Sequence, residues 1–426
     1  MLVIEAKLKG TATQYSKLDE AIRTGQFIRN TCLRHWEENK GVTRNDLQKL
    51  CSVLAKNKET PWARKLNSQA RQAHADRAWV SIQRFYENSR LGKPGKKGYP
   101  KYKKFSRSLE YKNTGWKLSA DRRQITFTDG FDVGTMELWS SRDLVWYSEK
   151  QISRVRVIRR ADGYYAQFLV DWNRREEHEF QGKMTGIDLG LKEFYTDSDG
   201  NTVENPRFLR KSERRLKMLQ RRVSKKHKPG KKQSNRYHAS RKALALEHLK
   251  VSRQREDKAR KDALALVRSN DLIVYEDLKI RNLVKNHHLA KSISDASWYQ
   301  FTQWLHYFAK VYGVIVIAVP AHHTTIDCSY CGAKVKKTLS TRTHRCNACG
   351  TVLDRDHNAA KNILAKGFKL LAQYLNSTAG HAESGAKSSK AQGETDLWLK
   401  NGDVLVLSRL DELRTKDSWE SPEGTS

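Results

Sequence analysis

An α/β fold containing parallel strands is predicted for residues 181–325 and 350–372, after a separate β-rich unit that carries a helical segment. Three observations predict it. Short apolar runs at 186–189, 272–276 and 313–319 alternate with helical patterns, and that alternation is the mark of parallel pairing. Period-two runs between Trp116 and Trp172, broken at Asp129-Gly130 and Asp162-Gly163, read as antiparallel hairpins in a sheet or small barrel. Finally, Cys328, Cys331, Cys346 and Cys349 form two C-x2-C pairs, fourteen residues apart, directly before a short acidic stretch.

Residues 2–9 read as one strand. Leu18, Ala21, Ile22, Gly25, Ile28 and Cys32 follow helical spacing, as do Ala75, Ala78, Ile82 and Phe85. Thr60-Pro61 is a helix-start signal. Residues 11–90 are therefore expected to form a helical domain, and residues 1–10 with 91–180 the β-rich domain around it. The strap 91–105 changes composition to lysine, glycine and proline with interleaved aromatics.

A third hairpin signal, Asp199-Gly200, follows the run at 186–190. Residues 207–268 are basic and helical, with Lys225 to Lys232 as a charged turn, so a helical hairpin with a basic tip is expected. Leu272 to Tyr275 form a buried-strand run closed by Glu276. Trp298, Phe301, Trp304, Leu305 and Phe308 mark a helix. The β-branched run 313–319 fits a central strand ended by Pro320. Residues 326–349 form a cysteine module, and 373–426 are expected to be a flexible tail, being rich in Ser, Gly, Ala and Lys.

Lys and Arg total 81 against 47 acidic residues, a formal charge of +34 spread along the chain. A polyanionic partner follows from that excess. No stretch approaches the ~20 apolar residues of a membrane-spanning helix. The first residues lack the basic-then-apolar pattern of a secretory leader, so a cytoplasmic, reducing setting is expected. There, paired C-x2-C cysteines favour zinc over disulfides. Four thiolates fill a tetrahedral shell and leave no open position, which assigns Zn2+ a structural role. His344 is a minor competitor as ligand, and Cys32 and Cys51 are expected to be buried thiols.

Asp188 and Glu276 each end a strand-like run, and Asp356 lies near a helix start. Three such carboxylates suit Mg2+ or Mn2+, whose paired ions activate water and stabilise the leaving oxygen in phosphodiester cleavage. Asp277, Asp327 and Asp354 are alternatives, Asp354 the strongest because it also precedes the helix. Gly190, after Asp188, is read as keeping the backbone slim beside a ligand. Nucleic-acid contact is expected from the strap, at Lys96, Lys97, Tyr99, Lys101, Tyr102, Lys103 and Lys104, where phosphate contact combines with stacking. The hairpin offers Arg221, Arg222, Lys225, Lys226, Lys231 and Lys232.

GIDLG at 186–190, VYEDL at 274–278 and LDRDHNAAKNI at 353–363, around the two cysteine pairs, resemble the TnpB family of insertion-sequence nucleases and, more remotely, the compact type V CRISPR effectors. The resemblance covers about residues 10–370. It implies a RuvC/RNase H-like nuclease domain with a mixed sheet and a zinc-ribbon-like module. It also implies an N-terminal β-barrel wedge domain carrying a helical recognition insertion. The activity implied is RNA-guided, metal-dependent cleavage of double-stranded DNA next to a short flanking motif, with guide RNA and target DNA as partners. Carried over to this chain, the catalytic metal ligands are Asp188, Glu276 and Asp356; Asp356 matches the family's Asp-x-Asn-Ala pattern. Thr325-Ile326-Asp327 departs from the family's usual Ser-Gln before the first cysteine. A transposase joining strands with the same carboxylates, or a zinc-containing nucleic-acid-binding regulator, are the competing readings.

Overall fold

The computed structural model describes residues 1–338 and 340–379, the last five as backbone only. Two compact units divide the chain, Met1–Arg174 and the residues from Arg175 on.

The first unit contains β1 (Leu2–Lys9), helices α1 (Ala12–Glu38), α2 (Arg44–Lys56), α3 (Pro61–Lys65) and α4 (Ser68–Arg90), and strands β2 (Ser108–Tyr111), β3 (Trp116–Leu118), β4 (Gln124–Phe127), β5 (Gly134–Trp139), β6 (Ile152–Arg160) and β7 (Gly163–Val170). The sheet order is β2-β6-β7-β1-β5-β4-β3. β1 is central because its alternate residues Leu2, Ile4, Ala6 and Leu8 are buried, the period-two signature of a strand with one covered face. Its ends β2 and β3 are not paired with each other, so strand pairing gives a sheet with two edges and not a closed ring. The helices leave the sheet after β1 and return at β2. Thr11 starts α1 and Thr43 starts α2 through capping boxes with Gln14 and Asp46, while Pro61 opens α3. Cys32 and Cys51 are buried in this core.

The second unit contains β8 (Met184–Leu189), β9 (Glu193–Asp197), β10 (Thr202–Glu204), α5 (Phe208–Lys226), α6 (Asn235–Ser269), β11 (Leu272–Glu276), α7 (Ile280–Leu283), α8 (Ala290–Ala296), α9 (Trp298–Tyr312), β12 (Ile315–Val319), β13 (Thr343–Arg345), β14 (Val352–Asp354) and α10 (Arg355–Ala379). Five strands run in the order β10-β9-β8-β11-β12. β11 is parallel to β8 and β12, whereas β8, β9 and β10 form an antiparallel meander. Alternation along β11 sorts its two faces. Ile273 and Tyr275 join a core with Ala259, Leu266, Phe301 and Phe308 from α6 and α9. Leu272 and Val274 join a second core with Ile363 and Leu371 from α10.

The basic hairpin is α5 with α6, joined by residues 227–234. Its base is fixed by buried Asp295, which accepts hydrogen bonds from the Leu209 and Arg210 amides and from the Arg255 guanidinium. α10 continues to Ala379, past the expected start of the tail at 373. The expected tail from 380 to 426 lies outside the described residues. No described helix is long and apolar enough to cross a membrane.

Candidate active site and cysteine knot

Parallel pairing places Asp188 and Glu276 side by side. Ile187 is in register with Tyr275, so Asp188 and Glu276 are each one residue beyond that pair, at the carboxyl ends of neighbouring strands. Adjacent strands lie ~4.8 Å apart. Glu276 shares its strand face with Val274, which meets α10; Asp188 shares its own with Gly186, which also meets α10. The fit at Gly186 is close: a Cβ there would lie 2.3 Å from the Ala360 carbonyl oxygen. Asp356 precedes Ala360 by four residues, one turn along the same helix face. All three predicted carboxylates thus converge on the α10 side of the sheet, at the strand ends where open α/β sheets bind ligands.

Their electrostatics record the convergence. The Asp188 carboxyl is pushed up to about 8, first by burial and then by the charges of Glu276 and Asp356. Burial also raises Glu276, against the Thr324 hydroxyl that donates to it and the nearby Lys366 ammonium. Asp356 is held by arginines: Arg355 approaches it at 2.8 Å and Arg342 at 3.5 Å. The carboxylates are not drawn into a tight chelating group; the cysteines form the one cluster of that kind among the described residues. The chemistry of the donor set, three hard carboxylates at one end of the sheet, fits Mg2+ or Mn2+.

The alternatives occupy other roles. Asp354 caps α10, its Oδ1 accepting from the Asp356 amide at 2.8 Å. Asp277 is exposed and pairs with Lys279. Asp327 supplies its backbone carbonyl to Asn358 and Asn362. Gly190 also serves the β8–β9 turn, since a Cβ there would meet the Glu193 carbonyl oxygen at 2.9 Å.

The knot consists of two similar turns. The Gly332 amide donates to the Cys328 carbonyl and the Gly350 amide to the Cys346 carbonyl, and both glycines have positive φ, 73° and 75°. Left-handed backbone is far easier for glycine than for other residues, which explains the C-x2-C-G pattern. Sγ atoms of Cys328 and Cys349 are 3.7 Å apart, and those of Cys331 and Cys346 3.6 Å. A tetrahedron with Zn–S bonds of ~2.3 Å has edges of ~3.8 Å, so the four thiols fit zinc. His344 is fully buried, with Nδ1 against Lys337 and Nε2 without a hydrogen-bond partner, and is outside the cysteine cluster.

Sequence reasoning missed three residues that organise this region, Arg355, Thr324 and Asn362, and read Asn358 only as part of the Asp-x-Asn-Ala pattern. The available signal was the basic residue inside Asp-Arg-Asp and the asparagines spaced one helical turn apart on α10.

In the first unit the strap is tied to α1. Gln26 and Asn30 donate to the Lys103 carbonyl, Gln26 also to that of Lys104, and Arg29 to that of Lys101. This leaves Lys96, Lys101, Lys103 and Lys104 exposed and Lys97 half-buried. Tyr99 and Tyr102 are partly engaged, both donating to Glu37, while Phe105 is 85% exposed. On the hairpin, Arg221, Arg222, Lys225, Lys231 and Lys232 are exposed, and Lys226 donates to Ser240.

Comparison with known proteins gives the same outline. The family described as "Probable transposase" (OrfB_IS605) matches residues 167–287, and the "Cas12f1-like, TNB domain" family matches 298–363. A "Putative RNA-guided DNA endonuclease" of Streptomyces pristinaespiralis is 40% identical over 185 residues, 43% of this chain and 45% of that protein. This chain therefore matches under half the length of that relative. The "Putative RNA-guided DNA endonuclease InsQ" of Escherichia coli (strain K12) is 27% identical over 82% of this chain and 87% of its own. A solved Cas12f1-sgRNA-target DNA complex aligns over 82% of each chain with a TM-score of 0.50 at 14% identity, a likeness of fold.

Proposed function

We propose that this chain, a relative of the TnpB-like proteins, is an RNA-guided DNA endonuclease that cuts double-stranded DNA beside a short flanking motif. The reading rests on one observation above all: Asp188, Glu276 and Asp356 converge at the carboxyl ends of β8 and β11 under the first turn of α10. The mixed sheet with helices on both faces is read as a RuvC/RNase H-like nuclease domain. The N-terminal sheet is read as a barrel-like wedge, with α1–α4 as its helical recognition insertion. The cysteine knot is read as a zinc ribbon.

In this reading Asp188, Glu276 and Asp356 hold Mg2+ or Mn2+. Bound divalent ions supply an activated water and neutralise charge on the leaving oxygen. Asp188, on the rigid centre of the sheet, fixes where the scissile phosphate is presented. Glu276 is oriented by the Thr324 hydroxyl. Arg342 and Arg355 hold Asp356 and lend positive charge to the side from which a phosphate would approach. The strap and the hairpin bind the phosphate backbones of guide RNA and target DNA, in the bacterial cytoplasm.

The test is purification with bound RNA, sequencing of that RNA, and cleavage of plasmids matched to it in Mg2+. Guided cleavage that Asp188→Ala, Glu276→Ala or Asp356→Ala each abolish, with nucleic-acid binding retained, is the expected result. The "Probable transposase" match favours strand transfer as a second reading. Joined products without any bound RNA would establish it instead.

A further inference from the structure

We propose that the zinc knot and the carboxylate site are thermodynamically coupled through Asn358 and Asn362, which act as positioning residues on α10. The inference rests on reading Asp188, Glu276 and Asp356 as a divalent-metal site.

A short polar ladder links the two. Asn358 is 0% exposed; its Oδ1 accepts from the Ser329 amide at 3.0 Å, and its Nδ2 donates to the Asp327 carbonyl at 2.9 Å. Ser329 lies inside the first C-x2-C turn. One helical turn on, Asn362 Nδ2 donates to the same Asp327 carbonyl at 2.7 Å and to the Thr324 carbonyl at 2.8 Å. The buried Thr324 hydroxyl in turn donates to Glu276. The second C-x2-C turn reaches the site by another route. Cys346 follows β13 and Cys349 precedes β14, and the β14 strand leads straight into α10. There the Arg355 amide donates to the Arg342 carbonyl at 2.6 Å, and both guanidinium groups hold Asp356.

Each half of the knot is therefore bonded to a segment bearing a site carboxylate. Zinc holds the halves together. Without it, four thiols have no common partner, and the first turn loses its hold on the second. Ser329 and Asp327 then shift, buried Asn358 loses both its partners, and Thr324 no longer fixes Glu276. A buried amide left unpaired is strongly disfavoured, so the ladder breaks as a unit. Because coupling between two binding sites is reciprocal, divalent ions at the carboxylates must tighten zinc by the same factor.

The test reads metal binding, not cleavage. Mn2+ affinity of the full chain without nucleic acid is measured by electron paramagnetic resonance of the unbound ion, with zinc content and melting temperature measured on the same samples. At full zinc occupancy, Asn358→Ala and Asn362→Ala should each weaken Mn2+ by about tenfold, within the usual range of coupling. Zinc affinity, from competition with a chromophoric chelator, should rise when Mg2+ saturates the wild-type chain and should not respond in Asp188→Ala. Variants that melt earlier yet bind Mn2+ as the wild type does would reduce the asparagines to helix packing and overturn the coupling. Zinc affinity indifferent to Mg2+ would overturn it too, while leaving the nuclease reading intact. Failure of the zinc-loaded wild type to bind Mn2+ at all would overturn both.

Discussion

Asp188 is the residue on which the site's charge balance turns. Its carboxyl keeps its proton up to about 8 in the folded chain, against an ordinary value of 3.8, because burial and two carboxylate neighbours disfavour ionisation. The folded state thus holds a proton that the unfolded state has already lost, and stability falls as pH rises from about 4 towards about 8. On the proposed reading, Mg2+ at the carboxylates would remove that penalty. Melting temperature without Mg2+ should decline between about pH 5 and about pH 8, with Mg2+ restoring it most at the upper end. Asp188→Asn should flatten the profile and abolish the Mg2+ effect; an unchanged profile would show that the charge is dissipated elsewhere. Gly186 is the steric counterpart. With Ala360 O 2.3 Å from where its Cβ would be, Gly186→Ala must push α10 off β8. Overpacking of this kind costs ~1–3 kcal/mol. Chemical denaturation should show a loss of that size, together with weaker Mn2+ binding as Asp356 is displaced from Asp188.

At the scale of elements, α10 does most of the organising, and its first turn separates two aspartates that look alike in sequence. Asp354 satisfies helix-start amides; Asp356 faces the site and its arginines. Asp354→Ala should therefore cost ~0.5–2 kcal/mol as a lost cap and retain cleavage, whereas Asp356→Ala should end cleavage with little change in melting. The reverse result in a plasmid assay would move the site by two residues. Strands β1, β8, β11 and β12 were legible in sequence because β-branched and apolar runs bounded by turn residues are local signals. The cysteine turns were legible because the metal demands fixed spacing. Whether the first sheet closes was not, since whether two edge strands meet depends on accumulated twist and not on any one run. The polar ladder through Thr324, Asn358 and Asn362 was also invisible. Asparagine and threonine side chains take their meaning here from carbonyls 31 to 38 residues away in sequence and from a carboxylate 48 residues away. The reach of α10 past residue 373 was missed because its later residues mix polar and apolar types without a stop signal.

Across the whole molecule, a formal charge of +34 implies, on the proposed reading, an affinity for nucleic acid carried largely by phosphate contacts, and such contacts have a measurable signature. Each phosphate neutralised releases counterions, so the logarithm of the binding constant falls linearly with the logarithm of salt, by ~0.9 per contact on duplex DNA. The hairpin tip presents Lys225, Lys231 and Lys232 to solvent, with Lys226 tethered to Ser240. None of these side chains supports the core, which at this end of the hairpin is made by Leu216, Leu219 and Val223. Replacing Lys225, Lys231 and Lys232 together by alanine should leave melting unchanged. It should weaken binding to matched and unmatched duplexes alike and reduce the salt slope by up to ~3. Because phosphate contacts position a protein without reading bases, guided cleavage should persist at low salt and fail first as salt is raised. A slope equal to that of the wild type, measured by fluorescence anisotropy over several salt concentrations, would place the hairpin tip away from the nucleic acid and leave the charge there as a solvated surface.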